Sequence, residues 1–458
     1  MFPRIFLCLF ALAVSLHAAP QPNFLFILVD DMGATDLGCY GSKLYETPNI
    51  DRLAKDGIRF TQAYSACTVC SPTRASLLTG KNPAALRLTD WIAGHERPFA
   101  KLKIPDWTKE LRAGEATLPT LLKKAGYATA SIGKWHLGPA GPTERGFDLN
   151  IAGGEKGQPP TYFSPYKIPT LPDGPEGEFL SDRLTTEAEK FIEANKDHPF
   201  FLYLPHYAVH TPLMGKPEVV EKYKAKAKPG DAQHNATYAA LVESVDDSVG
   251  RLRAKLDALG IAEKTVIVFT SDNGGLVLNQ TTSNLGLRAG KGSAYEGGVR
   301  VPLIYCWPGK IKPGEFAQPV ITADHFYTLL DLAGAPAATQ GEYRSLVPVV
   351  LGSGTIQPRE MHWHYPHYHP GGATPYSAVR SGDFKLIAFF EDSHLELYNL
   401  KDDPEEKTDL VSSNPAKTEE LRRQLAAWWM EVRAQLPTPN PDYDPARDGD
   451  RGKQKKEK

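Results

Sequence analysis

The chain reads as an α/β protein: a large, mostly parallel sheet sandwiched by helices, then a smaller antiparallel sheet carrying a helix. Three observations predict this. The runs NFLFILV, PFFLYLP and TVIVFTS are continuously apolar, as strands covered on both faces must be. They alternate with segments of helical period that have their own start and stop signals, the pattern of a sheet covered by helices. After about residue 352 the texture changes to a His/Tyr/Pro-rich stretch, short alternating strands and an amphipathic helix.

Arg4 followed by the apolar run IFLCLFALAVSL and the small residues Ala18 and Ala19 reads as a signal peptide over 1–19. It predicts an exported protein, periplasmic or secreted; an N-terminal anchor is the alternative. The strand NFLFILVDD ends in the two carboxylates Asp30 and Asp31. Thr47 is placed to cap a helix that Pro48 starts and Gly57 stops. IRFTQAY follows as a strand, then a helix from Cys70 to Gly80. Thr117, Pro119 and Gly126 bound another helix, and YATASIGKWH is a strand running into a basic motif. Residues 179–196 and 232–259 read as helices around the buried strand PFFLYLP. TVIVFTSDN is the next parallel strand, VRVPLIYCW another, and residues 323–333 are helical in pattern. The division expected is a main domain over 20–355, an α+β subdomain over 356–437 and a disordered tail over 438–458.

With 458 residues and 41% hydrophobic content the chain has ample material for a core. A net charge of −2 gives no basis for nucleic-acid binding. Beyond the leader no apolar run is long enough to span a bilayer, so an integral membrane protein is not expected. Cys39, Cys67, Cys70 and Cys306 are too few to make disulfides the main support of an exported chain this long.

In such sheets ligands bind beyond the carboxyl ends of the strands. Asp30, Asp31, Asp272 and Asn273 all fall there, three carboxylates and an amide oxygen, a donor set for a hard cation. Each pair alone reads equally as a strand-ending loop or cap. CSPTRASLLTG, Cys70 to Gly80, puts a cysteine at a helix N-terminus, where unpaired N–H groups favour anions, and Arg74 one turn on the same face. Cys67 and Cys70 also form a C-x-x-C, open to redox, disulfide or half-zinc readings. In Gly133-Lys134-Trp135-His136, an extended backbone puts Lys134 and His136 on one side and Trp135 on the other. His210 follows the PFFLYLP strand, and His206 is open between a core and a supporting role. Lys291 lies in the glycine-rich GLRAGKGSAYEGGVR.

C-x-P-x-R…TG from Cys70 resembles the signature of the type I, formylglycine-dependent sulfatases. Five further segments resemble that family in its order: DDMGATDLGCYG, GKWHLG, HTP, the GK…EGG block, and the late ELYNLKDDPEEKTDL. The resemblance implies an alkaline phosphatase/sulfatase-like fold and a sulfuric ester hydrolase. It implies Ca²⁺, with Mg²⁺ the alternative, held by Asp30, Asp31, Asp272, Asn273 and residue 70. It implies that a maturation enzyme converts Cys70 to formylglycine, whose hydrate attacks sulfur. Arg74 and Lys134 would then support the nucleophile, and His210, with Lys291, would protonate the leaving oxygen. His136 would take the proton whose loss expels sulfate. One further polar ligand of the family has no clear counterpart in GFDLNIAGGEKGQ.

Two other functions are open at this point. One is a phosphoester or phosphonate hydrolase of the same superfold, although its two-zinc members need more histidine and aspartate ligands than the sequence offers and usually a Ser or Thr nucleophile; the other is a non-catalytic glycan-binding relative, which should have lost cations or carboxylates. For the sulfatase the expected substrate is a sulfated carbohydrate of galactose or N-acetylgalactosamine type. Thr89-Asp90-Trp91 and the His/Tyr stretch 362–369 are the candidate sugar contacts; for that stretch a metal site and a linker are the alternatives.

Overall fold

Alternate side chains of the strand Asn23–Val29 point into two separate cores, and the molecule is built outward from that split. Phe24, Phe26 and Leu28 pack on one side with the helices Cys70–Thr79, Leu118–Lys124 and Asp324–Leu332. Leu25, Ile27 and Val29 pack on the other with Pro48–Asp56, Leu180–Ala194 and Ala236–Ala258. All seven residues of the strand are buried, and each such Leu, Ile or Phe contributes about 1.5–3 kcal/mol. The computed structural model describes residues 21–228, 230–337, 341–352 and 354–450. The expected signal peptide and the last eight residues of the chain lie outside the described residues.

The large sheet runs, from one edge, Val320–Ile321, Ile58–Tyr64, Arg300–Cys306, Thr265–Ser271, Asn23–Val29, Phe200–Pro205, Ala128–Ile132, Leu149–Ile151. Asn23–Val29 is parallel to both its neighbours. Arg300–Cys306 is antiparallel to both of its own, which corrects the parallel strand expected there. A parallel return needs a crossover along a face of the sheet. Here residues 272–299 carry Asp272, Asn273 and Lys291, with Lys291 N bonded to the Gly275 carbonyl, and the chain re-enters from the edge it left. Thr47 does not cap its helix. Its hydroxyl accepts from Gly38 N and donates to Asp51.

The second sheet is antiparallel and sequential: Glu360–Tyr365, Tyr376–Ser381, Phe384–Phe389, Leu395–Asn399. The helix Pro415–Val432 covers one face, packing Leu421, Leu425 and Trp428 on Val379, Leu386 and Leu397. A disordered tail from 438 is not what residues 438–450 form. Thr438–Pro439 pairs with Leu102–Lys103, Asn440 donates to the carbonyls of Pro98 and Ala100, and Arg97 pairs with Asp448 at 2.6 Å. This polar segment is held by hydrogen bonds to residues 97–103, and a composition reading counts only apolar burial.

Candidate active site

Three strand ends meet at one edge. Asp272 N bonds the Val29 carbonyl, His206 N the Leu28 carbonyl, and Val209 N the Asp30 carbonyl. Asp30, Asp31, Asp272 and Asn273 are thereby packed together and buried. Asp31 takes a left-handed φ of 62°, which Asp tolerates better than most residues, and its carboxylate, that of Asp30 and His210 offer atoms within 4.8 Å of one another. Asn273 Nδ2 donates to Asp31 Oδ1 at 2.8 Å, and Asp31 N donates to Asp272 Oδ1 at 3.2 Å.

Cys70 is the first residue of the helix Cys70–Thr79, all ten residues of which are buried. Its Sγ, the carboxylate of Asp30 and that of Asp272 offer atoms within 4.8 Å of one another. Gly80 closes the helix at φ 65°. Arg74, fully buried, donates from Nε to Asp272 at 2.9 Å and from Nη1 to the Lys134 carbonyl at 2.9 Å. Its Nη2 lies 3.6 Å from Asp30 Oδ1. Lys134 Nζ reaches Asp30 at 2.6 Å, while Trp135 packs in the core on Phe147, so the alternation expected of this motif is realised. The backbone is not extended throughout: His136 has φ 56°. Its Nδ1 lies 3.3 Å from Cys70 Sγ, and its Nε2 donates to the Ile92 carbonyl. Ser71 Oγ donates to the His136 carbonyl and accepts from Ile92 N, clamping the two segments together.

Lys291 Nζ bonds Asp31 at 2.8–2.9 Å, and His210 Nε2 lies 3.6 Å from the same carboxylate. His210 Nδ1 faces the Thr211 carbonyl at 2.8 Å. The structure therefore brings all ten sequence-named residues, Asp30, Asp31, Cys70, Arg74, Lys134, His136, His210, Asp272, Asn273 and Lys291, into one connected cluster.

Three carboxylates face Arg74, Lys134 and Lys291. Burial drives the Asp30 carboxyl well above the usual range, and Asp272 and Asp31 add to this against Lys134 and Arg74. For Asp31 burial also pushes up, but Lys291, His210 and Lys134 outweigh it and hold the group low. Asp272 is held low against burial by Arg74 and Lys134. Burial lowers His210 to about 3 despite Asp31, and burial with Lys134 keeps His136 neutral. Asp30 Oδ1 and Asn273 Oδ1 are buried without a hydrogen-bond partner. Two orphaned oxygens among carboxylates are what a hard cation would satisfy.

Other candidates are placed differently. His206 is a core histidine, bonded to Ser248 on the helix Ala236–Ala258. The two proposed sugar-contact segments do meet, but mostly in the interior. Thr89 bonds His367, and Asp90 accepts from Tyr365. His362 and His364 pack against Trp428, with His364 also bonded to Ser377 and the Gln435 carbonyl. Their alternating strand turns these rings toward the C-terminal helix. Only half-buried Trp91, and His369 beside the Lys291 loop, remain at the site's margin. Two contributors lacked any residue-type signal. Ile92 acts through its carbonyl. Gly157, in the segment that could not be matched, lies so close over His136 that a Cβ there would fall 2.3 Å from the ring.

A sulfatase family profile matches residues 22–335, and one described as N-sulphoglucosamine sulphohydrolase, C-terminal, matches residues 290–435. A sulfatase of Formosa agariphila is 32% identical, over 91% of this chain and 90% of that protein. Human N-acetylgalactosamine-6-sulfatase is 35% identical, over 73% of this chain and 66% of that protein. The crystal structure of Ps i-CgsB in complex with k-i-k-neocarrahexaose is 30% identical with a TM-score of 0.76, covering 92% of this chain and 94% of that one. Among the described residues no helix is long and apolar enough to cross a membrane. With matches of this extent added to a site built from its own sequence motifs, the chain belongs to the sulfatase family of the alkaline phosphatase superfamily and is a sulfuric ester hydrolase.

Proposed function

We propose that this enzyme is an exported O-sulfatase acting on a sulfated glycan of galactose or N-acetylgalactosamine type, with Cys70 converted to formylglycine by a maturation enzyme. The observation that carries the reading is the ring of groups around Cys70 Sγ. It stands at a buried helix N-terminus, with His136 Nδ1 at 3.3 Å and the Arg74–Asp272–Asp30–Lys134 network beside it. In the mature enzyme the hydrated aldehyde oxygens of residue 70 would take the place of Sγ.

Calcium, with magnesium as the alternative, fits Asp30, Asp31, Asp272, Asn273 and residue 70, and when bound supplies Lewis-acid stabilisation of charge on sulfuryl oxygens. With a divalent ion bound, Asp30 would be held ionised despite its burial, so that three carboxylates would balance Arg74, Lys134 and Lys291 and the ion's two positive charges would be left over. That matches one negative charge on the ester and one developing on residue 70.

His136 donates from Nε2 to the Ile92 carbonyl, which leaves the Nδ1 lone pair facing residue 70 and able to take its proton. His210 donates from Nδ1 to the Thr211 carbonyl, so its Nε2 faces the site and is the atom that hands a proton to the leaving oxygen. Its Nε2 is unprotonated at rest, and the proton it hands over would be taken up from solvent as the anionic ester binds beside ionised Asp31 and raises its proton affinity. Lys291 offsets charge on the sulfuryl oxygens.

The sugar class draws on the relatives: one is named for N-acetylgalactosamine 6-sulfate, and one structure holds a neocarrahexaose. In this chain a cavity of about 330 Å³ adjoins Lys291 and His369, and it is the space beside Lys291 into which a sugar would extend. The test is a panel of monosaccharide and oligosaccharide sulfates scored by free sulfate. Turnover of galactose-type O-sulfates is expected. Activity confined to phosphate esters overturns the function. Activity confined to N-sulfates, the chemistry named in the C-terminal family match, overturns the O-sulfate and sugar assignments and leaves the role of residue 70 standing.

A further inference from the structure

Between the large sheet and the C-terminal one lies a buried ion network that the chemistry above does not use. Lys385 Nζ lies 3.0 Å from Glu296 Oε1 and 3.0 Å from Glu406 Oε1, and all three side chains are fully enclosed. Glu296 Oε2 accepts from Tyr64, which also accepts from Arg380. The position of Glu406 is the informative part. Its carboxylate accepts from Glu296 N at 2.6 Å, and its backbone carbonyl accepts from Arg288 Nη1 at 2.9 Å. Residues 288 and 296 are the two ends of the loop that carries Lys291. Gly297 N to the Arg288 carbonyl, 2.9 Å, ties those ends together. Glu406 itself takes a φ of 53°, unusual for Glu, which lets its carbonyl and carboxylate face the loop together.

Buried ion pairs are weak sources of net stability, since apolar residues of the same volume do as well. A carboxylate accepting a backbone N–H is strong and directional. The network therefore contributes geometry more than stability. We infer that Glu406 is a positioning residue for sulfate-ester hydrolysis: it grips both ends of loop 288–296 and so holds Lys291 Nζ beside Asp31 at the mouth of the site. This rests on the reading that Lys291 acts on the substrate.

The experiment is a coupling measurement on fully matured enzyme with nitrophenyl sulfate. Glu406→Leu removes the acceptor, Glu406→Gln keeps an oxygen for Glu296 N, and half-buried Arg288→Gln releases the other end of the loop. Each is made alone and together with Lys291→Ala. Glu406→Leu and Arg288→Gln should lower kcat/KM about tenfold to a hundredfold, mostly in kcat, with Glu406→Gln retaining more. In the Lys291→Ala background the same changes should cost less than about twofold, because nothing is left to position. Equal losses in both backgrounds overturn the inference and leave the role of Lys291 standing. A Lys291→Ala enzyme with full activity overturns that role and the inference with it. If Glu406→Leu does not fold, Glu406→Gln and Arg288→Gln make the same comparison.

Discussion

Replacing Arg74 by methionine tests whether the site's charges are balanced as the geometry indicates. Methionine fills similar space, but Asp272 loses two charged contacts, at 2.8 and 2.9 Å, and the Lys134 carbonyl loses its donor at 2.9 Å. Asp30, Asp31 and Asp272 are then left with Lys134 and Lys291 alone. Breaking a buried ion pair costs about 3–5 kcal/mol. An orphaned buried carbonyl adds about 1–3 kcal/mol. The sum, about 4–8 kcal/mol, is a large part of the roughly 5–15 kcal/mol that holds a native protein together. Urea denaturation followed by tryptophan fluorescence, in chelator and in saturating calcium, measures it. The loss should be largest in chelator, because a divalent cation shares the same carboxylates. Arg74→Lys keeps the charge but not the fork, and should fall between wild type and Arg74→Met. A midpoint for Arg74→Met equivalent to within about 1 kcal/mol of wild type in chelator would refute the reasoning.

Three further outcomes are expected. His210→Ala should reduce turnover of a sugar sulfate by about 10²–10⁴-fold and that of nitrophenyl sulfate far less, since a good leaving group needs little protonation; equal losses remove His210 as the acid. Asp272→Ala should abolish both calcium binding by calorimetry and turnover, and a variant that stays active in chelator contradicts the donor set. Asp36 is buried, and burial raises its carboxyl to about 6 despite bonds from Tyr238, Thr282 and Gly33. A raised folded pKa gives stability that is complete below the unfolded value and is lost as pH rises through the folded one. Wild type should therefore lose up to about 3 kcal/mol relative to Asp36→Asn between about pH 4 and pH 6. Parallel stability curves for the two proteins over that range would contradict this origin.

The site was legible in the sequence wherever residue type carries the chemistry. Carboxylates after apolar strands, a cysteine and an arginine one helical turn apart, and a Lys-Trp-His alternation all report where their side chains must go. What was hidden acts through backbone or shape. Ile92 offers a carbonyl, Gly157 offers the lack of a side chain, and Glu406 joins positions 110 residues apart. The reversal of Arg300–Cys306 was hidden for a related reason: its apolar run is buried on both faces either way, and direction is set by the path of residues 272–299. The His/Tyr stretch misled because histidine and tyrosine serve interiors as well as ligands. Here Thr89 bonds His367 Nε2, Asp90 bonds the Tyr365 hydroxyl and Ser377 bonds His364 Nδ1, while burial lowers His364 to about 4 and His367 to about 3, so both rings are neutral.

The most direct test of the account is the chemical state of residue 70 set against activity. Preparations made with graded amounts of maturation enzyme should be analysed by peptide mass spectrometry for conversion of the Cys70 thiol to an aldehyde, and assayed for sulfate release. Specific activity should rise in proportion to the converted fraction and extrapolate to zero at none. Full activity in protein whose Cys70 remains an unmodified thiol would contradict it.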